Sequence, residues 1–133
     1  MSTSLRRSSV VLVGMLVAVS AHSLHAASIF EFDGWMEKIE KRALSVQKNL
    51  QRRDGEAAAA DAREIEALYR LMETYFVEYG NADSALQLTR TGVSGAADIA
   101  SRALAKDFDG ARDAIRSMMR DCRTCHNEYK PLT

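Results

Sequence analysis

The sequence predicts an all-α protein in which the helices pack as an antiparallel four-helix bundle. The main observation is that apolar residues recur every three or four positions through four successive segments, which is the period of a helix with one buried face. No run alternates apolar and polar residues as a half-buried strand does, and no strand–turn–helix phosphate loop is present. One proline and seven glycines in 133 residues are too few for a loop-rich or disordered chain. Mostly short links between the segments favour antiparallel neighbours.

The first two helices have the clearest patterns. The first is expected over about residues 33–53, with Asp33 as its N-cap and a turn at residues 54–55 after it. The second is expected over about residues 56–79 and ends at Gly80. The predicted core stripes are Met36, Ile39, Ala43, Val46 and Leu50 in the first helix, and Ile65, Leu68, Met72, Tyr75 and Tyr79 in the second, where Tyr69 and Phe76 widen the stripe.

The third helix has a less regular pattern than the fourth. Ser84 is a candidate cap, but Gly92 and Gly95 weaken the periodicity, which allows either one long helix or a short helix followed by a longer one. We therefore expect a long link over residues 80–95. The fourth helix is expected over about residues 109–129. Its stripe consists of Ala111, Ile115, Met118, Cys122, Cys125 and Tyr129.

Residues 1–26 have the pattern of a secretory signal peptide. Arg6 and Arg7 precede an apolar run over residues 10–19, and small or polar residues follow as far as Ala26. The run is too short to span a bilayer, so we expect cleavage after Ala26 and export of residues 27–133 to the periplasm without a membrane span. The alternative is an uncleaved N-terminal anchor.

Charge and cysteine content exclude other classes of protein. Eighteen basic side chains are balanced by eighteen acidic ones, so we expect no nucleic-acid partner held by bulk positive charge. Two cysteines are too few for a disulfide-stabilised miniprotein. No acid–base pair or oxyanion arrangement marks the chain as an enzyme.

The chemistry is concentrated in the segment Cys-Arg-Thr-Cys-His at residues 122–126. Residues three apart lie on one side of a helix, so Cys122 and Cys125 can bond to the two neighbouring vinyl groups of one haem. His126, directly after the second cysteine, then reaches the iron from one side. C-x-x-C-H is the attachment signature of c-type haem, and we expect one covalent haem c here.

Other interpretations of the cysteine pair are weaker. A structural zinc site needs about four protein ligands. His22 and His25 leave with the signal peptide, so no second cluster exists to complete such a site. A thioredoxin-like pair belongs at a helix start after a strand, whereas this pair lies near the end of the last helix.

On these residues the chain resembles the cytochrome c′ family of four-helix bundles. The resemblance is strongest over about residues 103–130, where an acidic turn precedes C-x-x-C-H, and Tyr129 and Lys130 follow it. It implies a left-handed bundle with haem near one end, His126 as the proximal ligand, and Lys130 as a contact on the proximal haem face. Lys130 is equally well explained as a solvated terminal lysine. The basic residue that the family carries early in its first helix is missing before Lys38.

The sixth coordination position of the iron has two interpretations. Family members with an apolar distal residue keep a five-coordinate iron that binds small gases, and relatives with a methionine there are six-coordinate electron carriers. Met36 falls at this place, so the resemblance makes it a candidate distal iron ligand. Met36 is also explained as the first core position of its stripe, since methionine commonly fills gaps.

The expected function is electron transfer through the haem, with an unidentified redox partner protein. The alternative is a five-coordinate haem protein that binds nitric oxide or carbon monoxide, and a helical bundle without haem is a third class. A homodimer is one assembly compatible with such a bundle. Four arginines on the last helix could steer an acidic partner, touch haem propionates, or form a solvated face. They are Arg112, Arg116, Arg120 and Arg123.

Overall fold

The computed structural model describes residues 28–129, and four helices contain nearly all of them. Three-residue links connect the helices. In the described part of the chain, no helix is both long enough and apolar enough to cross a membrane. The predicted signal peptide and Lys130 lie outside the described residues. The helices are α1 (Ile29–Gln51), α2 (Gly55–Tyr79), α3 (Asp83–Leu104) and α4 (Phe108–Tyr129).

Helices α1 and α2 run in opposite directions, as contacts at both ends show. Phe32, near the start of α1, packs on Tyr75 near the end of α2, with 4.8 Å between ring centroids. Asn49, near the end of α1, donates a hydrogen bond of 2.9 Å to the carboxylate of Asp61 near the start of α2. The three-residue link over residues 52–54 leaves no room for any other arrangement.

The other helices continue this antiparallel order. Arg90 of α3 forms an ion pair of 2.8 Å with Glu73 of α2. Gln51 at the end of α1 borders the same surface groove as Arg112 near the start of α4. The contact between α2 and α3 is the most extensive in the bundle, and the contact between α1 and α4 is much smaller. Four packed antiparallel helices confirm the predicted bundle.

Helix α1 begins four residues before its predicted N-cap. The cap is Ser28, whose hydroxyl accepts a hydrogen bond from the Glu31 amide, while the Glu31 carboxylate accepts one from the Ser28 amide. This reciprocal capping box satisfies the amides that a helix start leaves without partners. The prediction that Asp33 caps the helix is therefore wrong, because Asp33 lies inside the first turns.

Helix α3 is one continuous helix, so the predicted long link over residues 80–95 is also wrong. The chain reverses within residues 80–82, where Gly80 and Asn81 adopt positive φ angles of 70° and 50°. Ala82 is the N-cap and makes no side-chain capping bond, so the cap is not Ser84. The glycines inside α3 still have the backbone N–H and C=O groups that helical hydrogen bonds need. The packing of α3 against its neighbours outweighs the low helix propensity of these glycines.

The predicted stripes of α1 and α2, and that of α4 from Ala111 to Met118, belong to the core or pack against it, with one exception. Tyr79 is exposed at the end of α2, beyond the last turn that its neighbours cover. The largest fully buried side chains lie in the part of the bundle away from the start of α1. They are Val46, Leu50, Ile65, Ile99 and Ile115.

Two glycines of α3 have opposite surroundings. Gly92 is buried under the ring of Tyr69, and a Cβ atom at this position would come within 2.6 Å of two ring carbons. Gly95, almost one turn further along, has no atom within 4 Å of the place where its Cβ would lie. Gly92 thus lies at a close contact between α2 and α3, whereas Gly95 does not lie at such a contact.

We expect the two matching substitutions to change stability in opposite directions. Gly95→Ala should raise the free energy of unfolding by about 0.5–1 kcal/mol, because alanine favours the helix and meets no neighbour. Gly92→Ala should lower it by roughly 1–3 kcal/mol, because the overlap with Tyr69 exceeds the propensity gain. Urea unfolding of both variants measures the difference, and equal changes would contradict the close contact.

Candidate functional site

A cavity of about 680 Å³ opens between α1 and α4 at the end of the bundle where α1 begins. Its volume lies in the range of about 300–1,000 Å³ that is usual for small-molecule and cofactor sites. All four helices contribute to its walls. The principal lining residues are Met36, Ile39 and Ala43 of α1, Tyr69 and Met72 of α2, Leu88 and Thr89 of α3, and Met119, Cys122, Cys125 and His126 of α4.

The cavity follows from the side chains that α4 presents at this end. Further back in the bundle its stripe carries Ile115 and Met118, which are buried and fill the space between the helices. The next stripe positions are Cys122 and Cys125, whose short side chains leave that space open. The small contact between α1 and α4 is consistent with this gap.

The structure brings the residues of the C-x-x-C-H segment to one wall of the cavity. Cys122, Cys125 and His126 all line it, and each side chain is half-buried. The exposed Arg123 and Thr124 separate the two cysteines in sequence. Helical spacing alone places residues three and four apart on the same face, and the bundle turns that face toward α1.

The imidazole of His126 has one unsatisfied atom. Its Nε2 nitrogen is buried and makes no hydrogen bond within the described residues. Leaving a buried polar atom without a partner costs about 1–3 kcal/mol, so such an atom in a folded protein needs a physical reason. A neutral imidazole nitrogen is a common metal ligand, and an iron atom in the cavity would satisfy it.

These features fit a covalently attached haem. Two thiols at the correct spacing, an unpartnered buried imidazole nitrogen and a largely apolar cavity of cofactor size share one site. Among the side chains that the structure describes, no three of His, Cys, Asp or Glu come together in a way that could hold a metal ion. The described residues therefore offer no counterpart to a structural zinc site, which needs about four such ligands.

Met36 lies on the opposite side of the cavity from the cysteine pair. It lines the cavity, is half-buried, and packs against the hydrophobic core of the bundle. Its position is therefore compatible with both of its predicted roles, the distal ligand and the core residue. Lys130, the other predicted haem contact, lies outside the described residues.

Tyr69 is a cavity residue that the sequence pattern indicates only as part of the apolar face of α2. Its hydroxyl oxygen lies 3.5 Å from the sulfur of Cys122. Burial raises the pKa of Tyr69 above its ordinary value, and the neighbouring Cys122 raises it further, so the phenol keeps its proton at neutral pH. The signal in the sequence is Gly92, a glycine within a helical pattern, although it does not by itself identify its partner.

Charged side chains surround the mouth of the cavity. Asp33, Glu37 and Glu40 line it from α1, and all three are exposed. Lys41 forms an ion pair of 2.6 Å with Glu37, and its hydrogen bond and charge lower the pKa of that carboxyl group. Asp121 and Arg123 line the cavity from α4, so acidic groups outnumber basic ones among the charged residues that line it.

Two of the other predicted α4 arginines belong to the solvated surface. Arg112 pairs with Asp109, and Arg116 pairs with Asp113, each one turn away on the same helix. Surface pairs of this kind contribute about 0–1 kcal/mol to stability. Of the four arginines, Arg123 is the one that lines the cavity.

A polar cluster ties α1 to α2 beyond the cavity. Asp61 is a buried residue whose carboxylate accepts hydrogen bonds from Arg42, at 3.0 Å, and from Asn49, at 2.9 Å. A buried carboxylate needs such partners because its desolvation is costly. The cluster helps to fix the direction of the helix that carries Met36.

No protein-family profile, curated protein or solved structure matches this chain. The resemblance to the cytochrome c′ family stays a prediction from the sequence, carried mainly by residues 103–130.

Proposed function

We propose that the protein is an exported c-type cytochrome that carries electrons through one haem in the cavity between α1 and α4. The observation that carries this proposal is the buried, unpartnered Nε2 of His126 beside two correctly spaced thiols. A cavity, a thiol pair or a buried imidazole occurs separately in many proteins, but a covalent haem accounts for all three in one place. The bundle itself hosts many functions, so the site, not the fold, supports the proposal.

Three residues would hold the group. Cys122 and Cys125 would bind it through thioether bonds, and His126 would ligate the iron through Nε2. Bound haem supplies a one-electron couple between ferric and ferrous iron. The remaining cavity residues provide the surroundings of that couple.

The walls of the cavity restrict water and limit structural change. Ile39 and Ala43 of α1 and Met72 of α2 are buried and line it. Burial and local polarity are among the protein properties that set a haem's reduction potential. Because these side chains belong to the packed core, the site is held on rigid helices and not on loops. A rigid site suits electron transfer, a reaction in which only the charge of the bound haem would change.

The mouth of the cavity is where a redox partner would meet the protein. The acidic residues Asp33, Glu37, Glu40 and Asp121 line the cavity here, and Arg123 is the one arginine or lysine among its described lining residues. Charges around such an opening steer the encounter and set its salt dependence. Because carboxylates predominate among these groups, we propose a protein partner whose contact surface is basic.

The five-coordinate, gas-binding alternative rests on Met36. If its side chain belongs to the core against which it packs, His126 would be the only described iron ligand, and a bound haem could take up nitric oxide or carbon monoxide. If its sulfur turns into the cavity that it lines, Met36 would be a second iron ligand, which would favour electron transfer over gas binding.

The attachment can be tested with one double variant and one control variant. Replacing both Cys122 and Cys125 by Ala should leave only haem that acidified organic solvent extracts, whereas the exposed Thr124→Ala control should retain covalent haem. A haem stain of the denatured, exported protein measures the outcome. Undiminished covalent haem in the double variant would refute the assignment.

The chain without haem should be less stable than the loaded protein. Haem that binds only the native state stabilises that state. Without haem, the large cavity is unfilled and the His126 nitrogen has no partner among the described residues. Thermal unfolding followed by circular dichroism should give a midpoint roughly 5–20 °C lower for the double cysteine variant after its extractable haem has been removed. Equal midpoints would show that haem is not part of the core.

Substitutions of Met36 distinguish the two functions. If its sulfur ligates iron, the parent protein should be low-spin, and Met36→Ala and the similarly sized Met36→Leu should both turn it high-spin. Met72→Leu, at another methionine of the cavity wall, should leave the spectrum unchanged. Visible spectra of both oxidation states, with and without carbon monoxide, measure this. A parent that is already high-spin and binds carbon monoxide removes Met36 as a ligand and favours the gas-binding function.

A further inference from the structure

One buried hydroxyl group contacts one of the two cysteines in the wall of the cavity. Tyr69 is 8% exposed, and its oxygen lies 3.5 Å from the sulfur of Cys122. The two residues are 53 positions apart and belong to α2 and α4, which are not neighbours in sequence. The contact therefore links the attachment segment to the wall formed by α2 and α3.

The ring of Tyr69 is held in place from behind. Gly92 has no side chain, so the ring lies directly on the backbone of α3, and any side chain at this position would overlap the ring. A glycine inside a helix costs about 1 kcal/mol relative to alanine, so its presence has a packing reason here. Because the ring rests on the α3 backbone, its hydroxyl group is directed by packing toward Cys122.

The direction of the hydrogen bond depends on the state of the sulfur. With a thiol, either the phenol or the sulfhydryl group can be the donor. A thioether sulfur has no hydrogen, so the phenol is then the only donor of the pair. Burial raises the pKa of Tyr69, which keeps that donor protonated.

We propose that Tyr69 is a positioning residue for Cys122, which holds its sulfur toward the cavity and donates a hydrogen bond to it in the haem-bound protein. This inference rests on the proposed function. A hydrogen bond donated to the thioether sulfur withdraws electron density from the edge of the haem to which that sulfur is bonded. This loss of electron density disfavours the oxidised haem. The phenol should therefore raise the reduction potential and favour attachment through Cys122.

The test is a double-mutant cycle that uses each cysteine alone. In Cys125→Ala, haem can attach only through Cys122, and in Cys122→Ala only through Cys125. Tyr69→Phe removes the hydroxyl group and keeps the ring, so it should lower the potential and the covalently bound fraction in the first background and not in the second. Tyr75→Phe is the matched control, because Tyr75 packs on Phe32 and is not among the residues lining the cavity.

The readouts are the reduction potential and the band position of the haem in alkaline pyridine, which shifts when a vinyl group stays unattached. Equal effects of Tyr69→Phe in both backgrounds, or no effect in either, would overturn the inference while leaving the cytochrome assignment intact. A parent protein without covalent haem would instead overturn the proposed function. Circular dichroism of each variant checks that the bundle is folded.

Discussion

The close packing of α2 against α3 is the contact on which the other helices and the cavity rely. Gly55 lies so near the carbonyl oxygen of Ala103 that a Cβ atom would not fit, and Gly92 accepts the ring of Tyr69 in the same way. Both helices also bury alanines that add little volume. This pair therefore forms a rigid wall. Helices α1 and α4 pack on that wall but contact each other over a much smaller area, so the space between them becomes the cavity.

The contrast along α4 explains why the cavity lies at one end. Ile115 and Met118 are buried and close the bundle on one side, while Cys122 and Cys125 leave it open on the other. A core with a gap of this size loses the dispersion contacts that its lining atoms would otherwise make. The His126 nitrogen adds a second cost, because it is buried without a partner among the described residues. One cofactor in the cavity would offset both costs, and it would then link stability to the proposed function.

Local patterns predicted most of the helices, and the errors have local causes. The stripe from Ile39 to Leu50 and the stripe from Ala111 to Met118 are buried as their periodicity indicates. Helix α1 starts earlier than its pattern predicts, because Ser28 and Glu31 form a capping box ahead of Asp33. The link before α3 is shorter than predicted, because packing on α2 keeps the helix continuous through the two glycines that weaken its pattern.

Helical periodicity is enough to show which residues share a face, since helical geometry relates positions three or four apart. It places Cys122, Cys125 and His126 together without any knowledge of the fold. What that face meets is decided by the packing of the helices on one another. The gap toward α1, the unpartnered His126 nitrogen and the contact between Tyr69 and Cys122 all depend on the register between helices. The close approach of α2 and α3 at Gly55 and Gly92 sets that register. Periodicity along one helix does not encode the distance between two helices.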